Sequence, residues 1–357
     1  MVQMLITDNN LMDYKYILNI LYFRFRFVTA YILIGFFSII FELFIYSTIA
    51  YYNFFGDSKK IISVLFGIFF AFIVNFFLNF RIRHSKIGES FFYFTFISLF
   101  SWFFQLNISN HILQLNVKYE TSRIITSASF FLIAYFFHKK FSFKDYKKIG
   151  LALYLENNLK INQIYNSVKN YPDFIHLDII DKTFSKNRLV NRIPSIKKIK
   201  YLWPNHEIQA HIMSKKPSIW LKNLLPFADV IFVHYEIEEN IYKLKDIITK
   251  NGKKFGIAIT LGTHPKRLLN ILEYCSSVLI LSIEKPGFSG QKFNLKALEY
   301  IDYLNEHLTK KKIKICVDGG IDENIIKILN VDEVVSSSSI LKNSNPINQI
   351  LKIKHQS

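Results

Sequence analysis

Four apolar stretches of membrane length are crowded into the first 145 residues of this 357-residue chain, at about 27–52, 61–80, 91–115 and 124–137. A helix that crosses a bilayer needs roughly 20 mainly apolar residues at about 1.5 Å of rise each. Lipid offers no hydrogen bonds, so such segments must satisfy their own backbone and fold as helices. The first half is therefore expected to be an all-α, four-helix transmembrane domain. Gln105, Asn107, Asn110 and His111 dilute the third stretch. Glu42 sits in the middle of the first, where a charge is costly, and this makes it the functional candidate of the membrane half. The alternative is that Glu42 lies near an interface and reaches out of it. Asn75 and Asn79 share one helical face, a spacing suited to bonding neighbouring helices.

The basic residues orient these spans. Lys15, Arg24 and Arg26 precede the first, Arg81, Arg83 and Lys86 follow the second, and Lys139, Lys140, Lys144, Lys147 and Lys148 follow the fourth. The remaining two loops carry only Lys59, Lys60, Lys118 and Arg123. Positive charge favours the cytoplasmic side. The expectation is a multi-pass integral membrane protein with both termini, and whatever follows the spans, in the cytoplasm. No cleavable leader is expected, because the first apolar run leads into a full-length span.

The net charge of +18 would suggest nucleic acid on a wholly soluble surface. Here half of the residues are hydrophobic, 17% are aromatic, and mean hydropathy is +0.18. The basic excess belongs to membrane-flanking loops and Lys-rich helices, no nucleic-acid-binding motif is present, and nucleic acid is not expected as a partner. Cys275 and Cys316 form no CxxC pair and read as core residues of a reducing compartment.

From Gly150 the pattern changes. Short β-branched runs at 149–153, 174–180, 207–213, 230–234, 255–259, 278–283, 313–317 and 333–336 alternate with Lys-rich helical segments. Strand/helix alternation implies a parallel sheet, and eight units suggest an α/β domain of the (β/α)8 TIM-barrel type over 146–357. A doubly wound open sheet is the alternative.

The barrel reading brings dispersed residues together. His176 and Asp178 stand at i and i+2 on one strand and so project from the same face. His211 falls near the end of the third strand and Asp318 at the end of the seventh. Active sites of this fold lie at the C-terminal strand ends, and two imidazoles with two carboxylates suit one divalent ion such as zinc, iron(II) or manganese. Glycines add a second signal. Gly287, Ser289 and Gly290 follow strand six, Gly319 and Gly320 follow Asp318, and Ser337 and Ser338 close strand eight. Backbone amides there could cradle a phosphate; ordinary turns are the plainer alternative.

In this order the motifs resemble the ribulose-phosphate 3-epimerase family. His176-Leu177-Asp178-Ile179-Ile180-Asp181 is similar to its "HVDVMDG" block, and Ala210-His211-Ile212-Met213 to "VHLM". Val233-His234-Tyr235-Glu236 resembles "xHxE", Gly262-Thr263 the "NPGT" turn, the run 286–291 "PGFGGQ" and the run 317–321 "VDGGI". The resemblance implies a metal held by His176, Asp178, His211 and Asp318, with Asp178 and Asp318 as the acid/base pair. A phosphorylated ketose would then be inverted at C3 through an enediolate, one aspartate removing the proton and the other returning it. Met213 would shield the intermediate. The chain departs from the family at Leu151-Ala152-Leu153-Tyr154, where "PSIL" stands, at Asp181-Lys182 in place of "DG", and at Ser337-Ser338 in place of Gly-Ser.

Residues 24–145 resemble the GtrA-like family of four-span membrane proteins, through the Arg24–Phe27 entry, Asn75 and Asn79, and the closing run 136–143. That resemblance implies a link to cell-surface polysaccharide synthesis, with the bilayer, polyprenyl-phosphate-linked sugars and glycosyltransferases as partners. The expected function is a membrane-tethered epimerase, with oligomers compatible. The alternative is a lipid-linked sugar translocation protein whose barrel is a non-catalytic sensor or scaffold.

Overall fold

The computed structural model describes residues 2–52, 55–82, 84–114, 116–144, 146–154, 160–185, 194–288, 290–308 and 313–356. Contacts divide the chain into two compact units, Arg24–Tyr146 and Lys147–Ser357, with the turns ahead of Arg24 grouped with the second.

The first unit is helical: α1 (Val2–Tyr51), α2 (Lys59–Val74), α3 (Ile87–Leu113) and α4 (Tyr119–Phe137). Among the described residues, three segments are long and apolar enough to cross a membrane, Phe27–Tyr51, Lys59–Asn79 and Ile87–Leu113. The expected fourth span forms as α4, but the polar run Tyr119-Glu120-Thr121-Ser122-Arg123 lies inside the helix and leaves it short of that standard. Large side chains such as Phe44, Phe92 and Leu132 stand more than 60% exposed, as lipid-facing positions would. α2 and α4 each run into a single π-helical turn, Asn75–Asn79 and His138–Ser142. Just beyond these turns Phe80 and Phe143 stack at 4.4 Å, within a core that includes Tyr31, Phe72, Phe76 and Phe94. Asn79 donates to the Phe27 carbonyl at 3.1 Å, tying α2 to α1.

Two readings of single residues change here. Arg123 is a helix residue, not a loop charge. Its Nε and Nη2 donate to Glu42 Oε1 and Oε2 at 2.7 and 2.9 Å, and its Nη1 donates to Gln105 and Ser127. Glu42 is 3% exposed and paired inside the bundle, so it does not reach for an interface.

The second unit is a closed parallel barrel with its strands in chain order, which excludes the open sheet. The strands are β1 (Lys148–Tyr154), β2 (Phe174–Ile180), β3 (Glu207–Met213), β4 (Val230–His234), β5 (Lys254–Thr260), β6 (Ser277–Leu281), β7 (Lys314–Asp318) and β8 (Glu333–Ser336). The outer helices are α5 (Ile161–Val168), α6 (Pro194–Leu202), α7 (Ser218–Leu224), α8 (Ile241–Lys250), α9 (Lys296–His307), α10 (Ser338–Leu341) and α11 (Pro346–Gln356). Eight full strand–helix units were expected. The connections after β5 and β7 hold only 3-10 turns, Pro265–Leu268, Leu272–Tyr274 and Ile325–Ile328.

A repeated aspartate sets the register. Asp173, Asp229 and Asp332 each stand one residue before an even-numbered strand, and each accepts the amide of the preceding odd strand (Ile149, Ile208 and Ile315) at 2.7–2.9 Å. These bonds satisfy donors at the face where the strands enter. Packing inside the barrel is close. A Cβ on Gly256 would lie 2.4 Å from the Phe232 ring, so only glycine leaves room for it. That ring, in turn, lies 6.2 Å from the imidazole of His176.

Candidate metal centre and substrate cavity

The β2–β3 register supplies three of the four clustered residues. His176 is opposite Gln209, and Asp178 is opposite His211. All four side chains fall on alternate residues facing the barrel interior, and each residue is at most 1% exposed. Asp318, the last residue of β7, completes the group. One ligand atom from each of His176, Asp178, His211 and Asp318 lies within 4.8 Å of the others.

The internal distances describe donors gathered around a common point. His211 Nδ1 is 3.2 Å from Asp178 Oδ1 and 3.6 Å from Asp318 Oδ2. His176 Nε2 is 3.6 and 4.0 Å from the same two oxygens. His176 Nε2 and Asp178 Oδ2 are buried and have no hydrogen-bond partner among the described residues. Orphaned buried groups are rare and call for an explanation. Two nitrogen and two oxygen donors left open toward one point fit a zinc, iron(II) or manganese ion.

Each imidazole is oriented from behind. His176 Nδ1 faces Gln209 Oε1 at 3.2 Å. His211 Nε2 meets His234 Nε2 at 2.8 Å, and His234 Nδ1 meets Glu236 Oε2 at 3.1 Å. Glu236 Oε1 accepts from the Thr260 amide and hydroxyl, both at 2.9 Å. Hydrogen-bonded partners behind metal-binding histidines fix ring orientation and tautomer.

The electrostatics of the cluster are those of crowded carboxylates. Burial, then the neighbouring Asp318, raises the Asp178 carboxyl against the pull of the two imidazoles. Burial works to lower His211, but hydrogen bonds to Asp178 and Asp318, with their charges, raise it to about 9. Burial takes His234 down to about 4. Glu236 is opposed by burial, yet bonding to His234 and the threonines brings it to about 2. Without a cation, a proton held by His211 balances the aspartates. A divalent ion would take that proton's place.

A cavity of about 510 Å3 opens beside the cluster and is lined by Asp318, Gly319, Gly320, Gly290, Ser337 and Ser338, along with Tyr154, Phe288 and Lys342. Of the four clustered residues, Asp318 is the one that lines it. Gly319 and Gly320 have φ of +111° and +68°, and a Cβ on Gly320 would fall 2.2 Å from the Phe293 amide nitrogen. With no side chain at either position, the turn lets backbone amides approach an anion closely.

Gly287 does not line the cavity; it packs against Ile180. Met213 is buried opposite Ile180 and also stands outside the lining. Ser289 lies outside the described residues. Asp181 accepts from Thr183 and from Trp220 Nε1, so it organises the loop after β2 and does not join the metal donors.

Several residues carried no assigned role in the sequence. His234 and Glu236 stood in a matched motif whose i, i+2 spacing matches that of His176 and Asp178. Ser282, fully buried, donates to the carbonyls of Asp318 and Gly319 at 2.8 and 2.7 Å and fixes the turn after β7. Tyr154 and Lys342 had no distinguishing local signal.

Known proteins are similar to this chain over the barrel. The chain is 30% identical over 182 residues to ribulose-phosphate 3-epimerase of Aquifex aeolicus, covering 50% of this chain and 78% of that protein. It is 32% identical over 202 residues to ribulose-phosphate 3-epimerase of Buchnera aphidicola, covering 54% and 85%. A solved 3-hexulose-6-phosphate synthase from Salmonella typhimurium aligns over 58% of this chain and 97% of its own, at 20% identity and a TM-score of 0.44. Residues 149–341, more than half of the chain and nearly the whole barrel, match the ribulose-phosphate 3 epimerase family, and the chain belongs to it.

Proposed function

We propose that this protein is a membrane-tethered, divalent-metal-dependent epimerase that inverts C3 of a phosphorylated ketose, with ribulose 5-phosphate and xylulose 5-phosphate as the first candidates. The observation that carries this reading is the convergence of His176, Asp178, His211 and Asp318, with two orphaned donor atoms, beside a cavity bordered by the Gly319-Gly320 turn. When bound, a divalent ion would polarise the ketose carbonyl and lower the cost of charge developing on its oxygen.

The chain's own residues do the rest. Amides around Gly290, Gly320, Ser337 and Ser338 bind the phosphate and set the distance from it to the reacting carbon. Asp318, at the cavity wall, and Asp178, deeper in the barrel, exchange the C3 proton from opposite faces. The raised Asp178 carboxyl is a stronger base than an ordinary aspartate, which suits removal of a weakly acidic proton. Met213 and its apolar neighbours keep water away from the carboxylates.

In this reading residues 1–145 form the membrane domain and 146–357 the catalytic one. The loop charges favour a cytoplasmic barrel, and the GtrA-like resemblance supports a role in supplying precursors for surface polysaccharide, with polyprenyl-phosphate-linked sugars and glycosyltransferases as neighbours. The test is exchange of solvent deuterium into C3 of ribulose 5-phosphate by the metal-loaded, full-length protein. Asp318→Asn should abolish exchange while leaving the fold intact. Absence of exchange with every phosphorylated ketose tried would reject the enzyme in favour of a scaffold.

A further inference from the structure

Gln209 is 1% exposed, sits one strand away from His176, and has two chemically different ends. Its amide Nε2 lies 2.8 Å from Glu333 Oε2 and 3.1 Å from Glu207 Oε1. A carboxylate only accepts, so the NH2 end must point at those glutamates and the carbonyl end must turn the other way. That carbonyl, Oε1, faces His176 Nδ1 at 3.2 Å. An amide oxygen also only accepts, so Nδ1 carries the proton. A neutral imidazole has one N–H, and its remaining lone pair is therefore on Nε2, the atom that is buried, unpartnered and turned toward Asp178 and Asp318.

Glu333, on β8, is itself 1% exposed and is held at its other oxygen by Lys314 on β7. A buried carboxylate is costly unless it is fully partnered. Here it is partnered on both sides, and its effect reaches the metal centre without any contact with the substrate cavity. Glu333 and Gln209 come from strands 124 positions apart in sequence, joined across the barrel interior.

We propose that Gln209, locked by Glu333 and Lys314, is a positioning residue that holds His176 in its metal-binding tautomer. The inference rests on the metal reading of the four-residue cluster. It concerns the ion's affinity, and the sugar does not enter it.

The test measures zinc affinity of the full-length protein by competition with a chromophoric chelator, and the visible absorption of the cobalt(II)-loaded form. Gln209→Met should weaken zinc binding about 10–100-fold, the usual cost of losing an outer-shell partner, and shift the cobalt bands. Glu333→Gln conserves shape but lets the Gln209 amide turn over. It should weaken binding by about tenfold with little change in thermal midpoint. A purely structural role predicts lower midpoints with zinc affinity and cobalt bands unchanged, and that result overturns the proposal. If neither variant folds, two-bond proton–nitrogen spectra of the metal-free wild type decide: a proton on His176 Nδ1 supports the proposal and one on Nε2 overturns it. No sugar is present, so a failed epimerase assay leaves these outcomes intact.

Discussion

His211 and His234 meet through their Nε2 atoms at 2.8 Å, with rings 26° from parallel. Two nitrogens in contact share one proton, and Glu236 decides which owns it. Because Glu236 accepts from His234 Nδ1, His234 presents a lone pair to His211, and His211 donates. His211 Nδ1 is then left facing the two aspartates. The chain of donation ends at Glu236, which accepts from His234 on one side and from the Thr260 amide on the other.

The His234–Glu236 pair should therefore lose its contribution to stability on acidification from near-neutral pH. His234 titrates near 4 in the fold against an ordinary 6.5, so between these values the unfolded chain binds more protons and unfolding is favoured as pH drops. Glu236, at about 2 against 4.5, contributes stability that is present above 4.5 and lost toward 2. Between pH 6.5 and 4 the thermal midpoint of the wild type should fall relative to that of His234→Gln. Parallel curves for the two proteins would refute this assignment.

Metal removal offers a second check, with its own sign. His211, raised to about 9 by the aspartates, must shed a proton when a divalent ion takes its place. Below that pH each binding event releases about one proton, so affinity should rise roughly tenfold per pH unit from 7 toward 9 and then level off. Chelation should eliminate activity and added zinc, iron(II) or manganese should restore it. A pH-independent affinity would mean that His211 is not a ligand.

Gly320→Ala should damage substrate binding more than chemistry. The residue has φ of +68°, and its new Cβ would meet the Phe293 backbone nitrogen at 2.2 Å. Strain of about 1–3 kcal/mol is typical of such sites, and the turn that borders the cavity has to shift to relieve it. KM for the sugar phosphate should increase about tenfold or more, while zinc affinity stays within twofold of wild type. Equal KM values would remove the Gly319-Gly320 turn from the phosphate site.

Local pattern carried much of this fold. Each strand occupies a β-branched run, and the i, i+2 spacing of His176 and Asp178 already placed both on one face. What local pattern could not carry was pairing between distant residues. Glu333 looks like a surface charge beside Asp332 until β8 closes against β1 and turns it inward. Arg123 ends a polar run and reads as a loop charge, because its partner Glu42 is 81 residues away. The shortened connections after β5 and β7 were hidden for a related reason: the count of apolar runs registers strands and says little about what joins them.

Arg123 and Glu42 give the helical unit its sharpest prediction. Their bidentate pair is shielded, at 12% and 4% side-chain exposure, and Gln105 and Ser127 satisfy the remaining guanidinium nitrogen. Removing one partner leaves an unpaired charge in an apolar bundle, a change that costs about 3–5 kcal/mol in buried pairs. Arg123→Met should therefore lower the thermal midpoint of the detergent-solubilised protein markedly, and Glu42→Gln in the same chain should recover most of the loss by removing the orphaned charge. Zinc affinity at the barrel should be equal in both variants once folded. If the double variant is no more stable than Arg123→Met, the pair is not what holds α1 to α4.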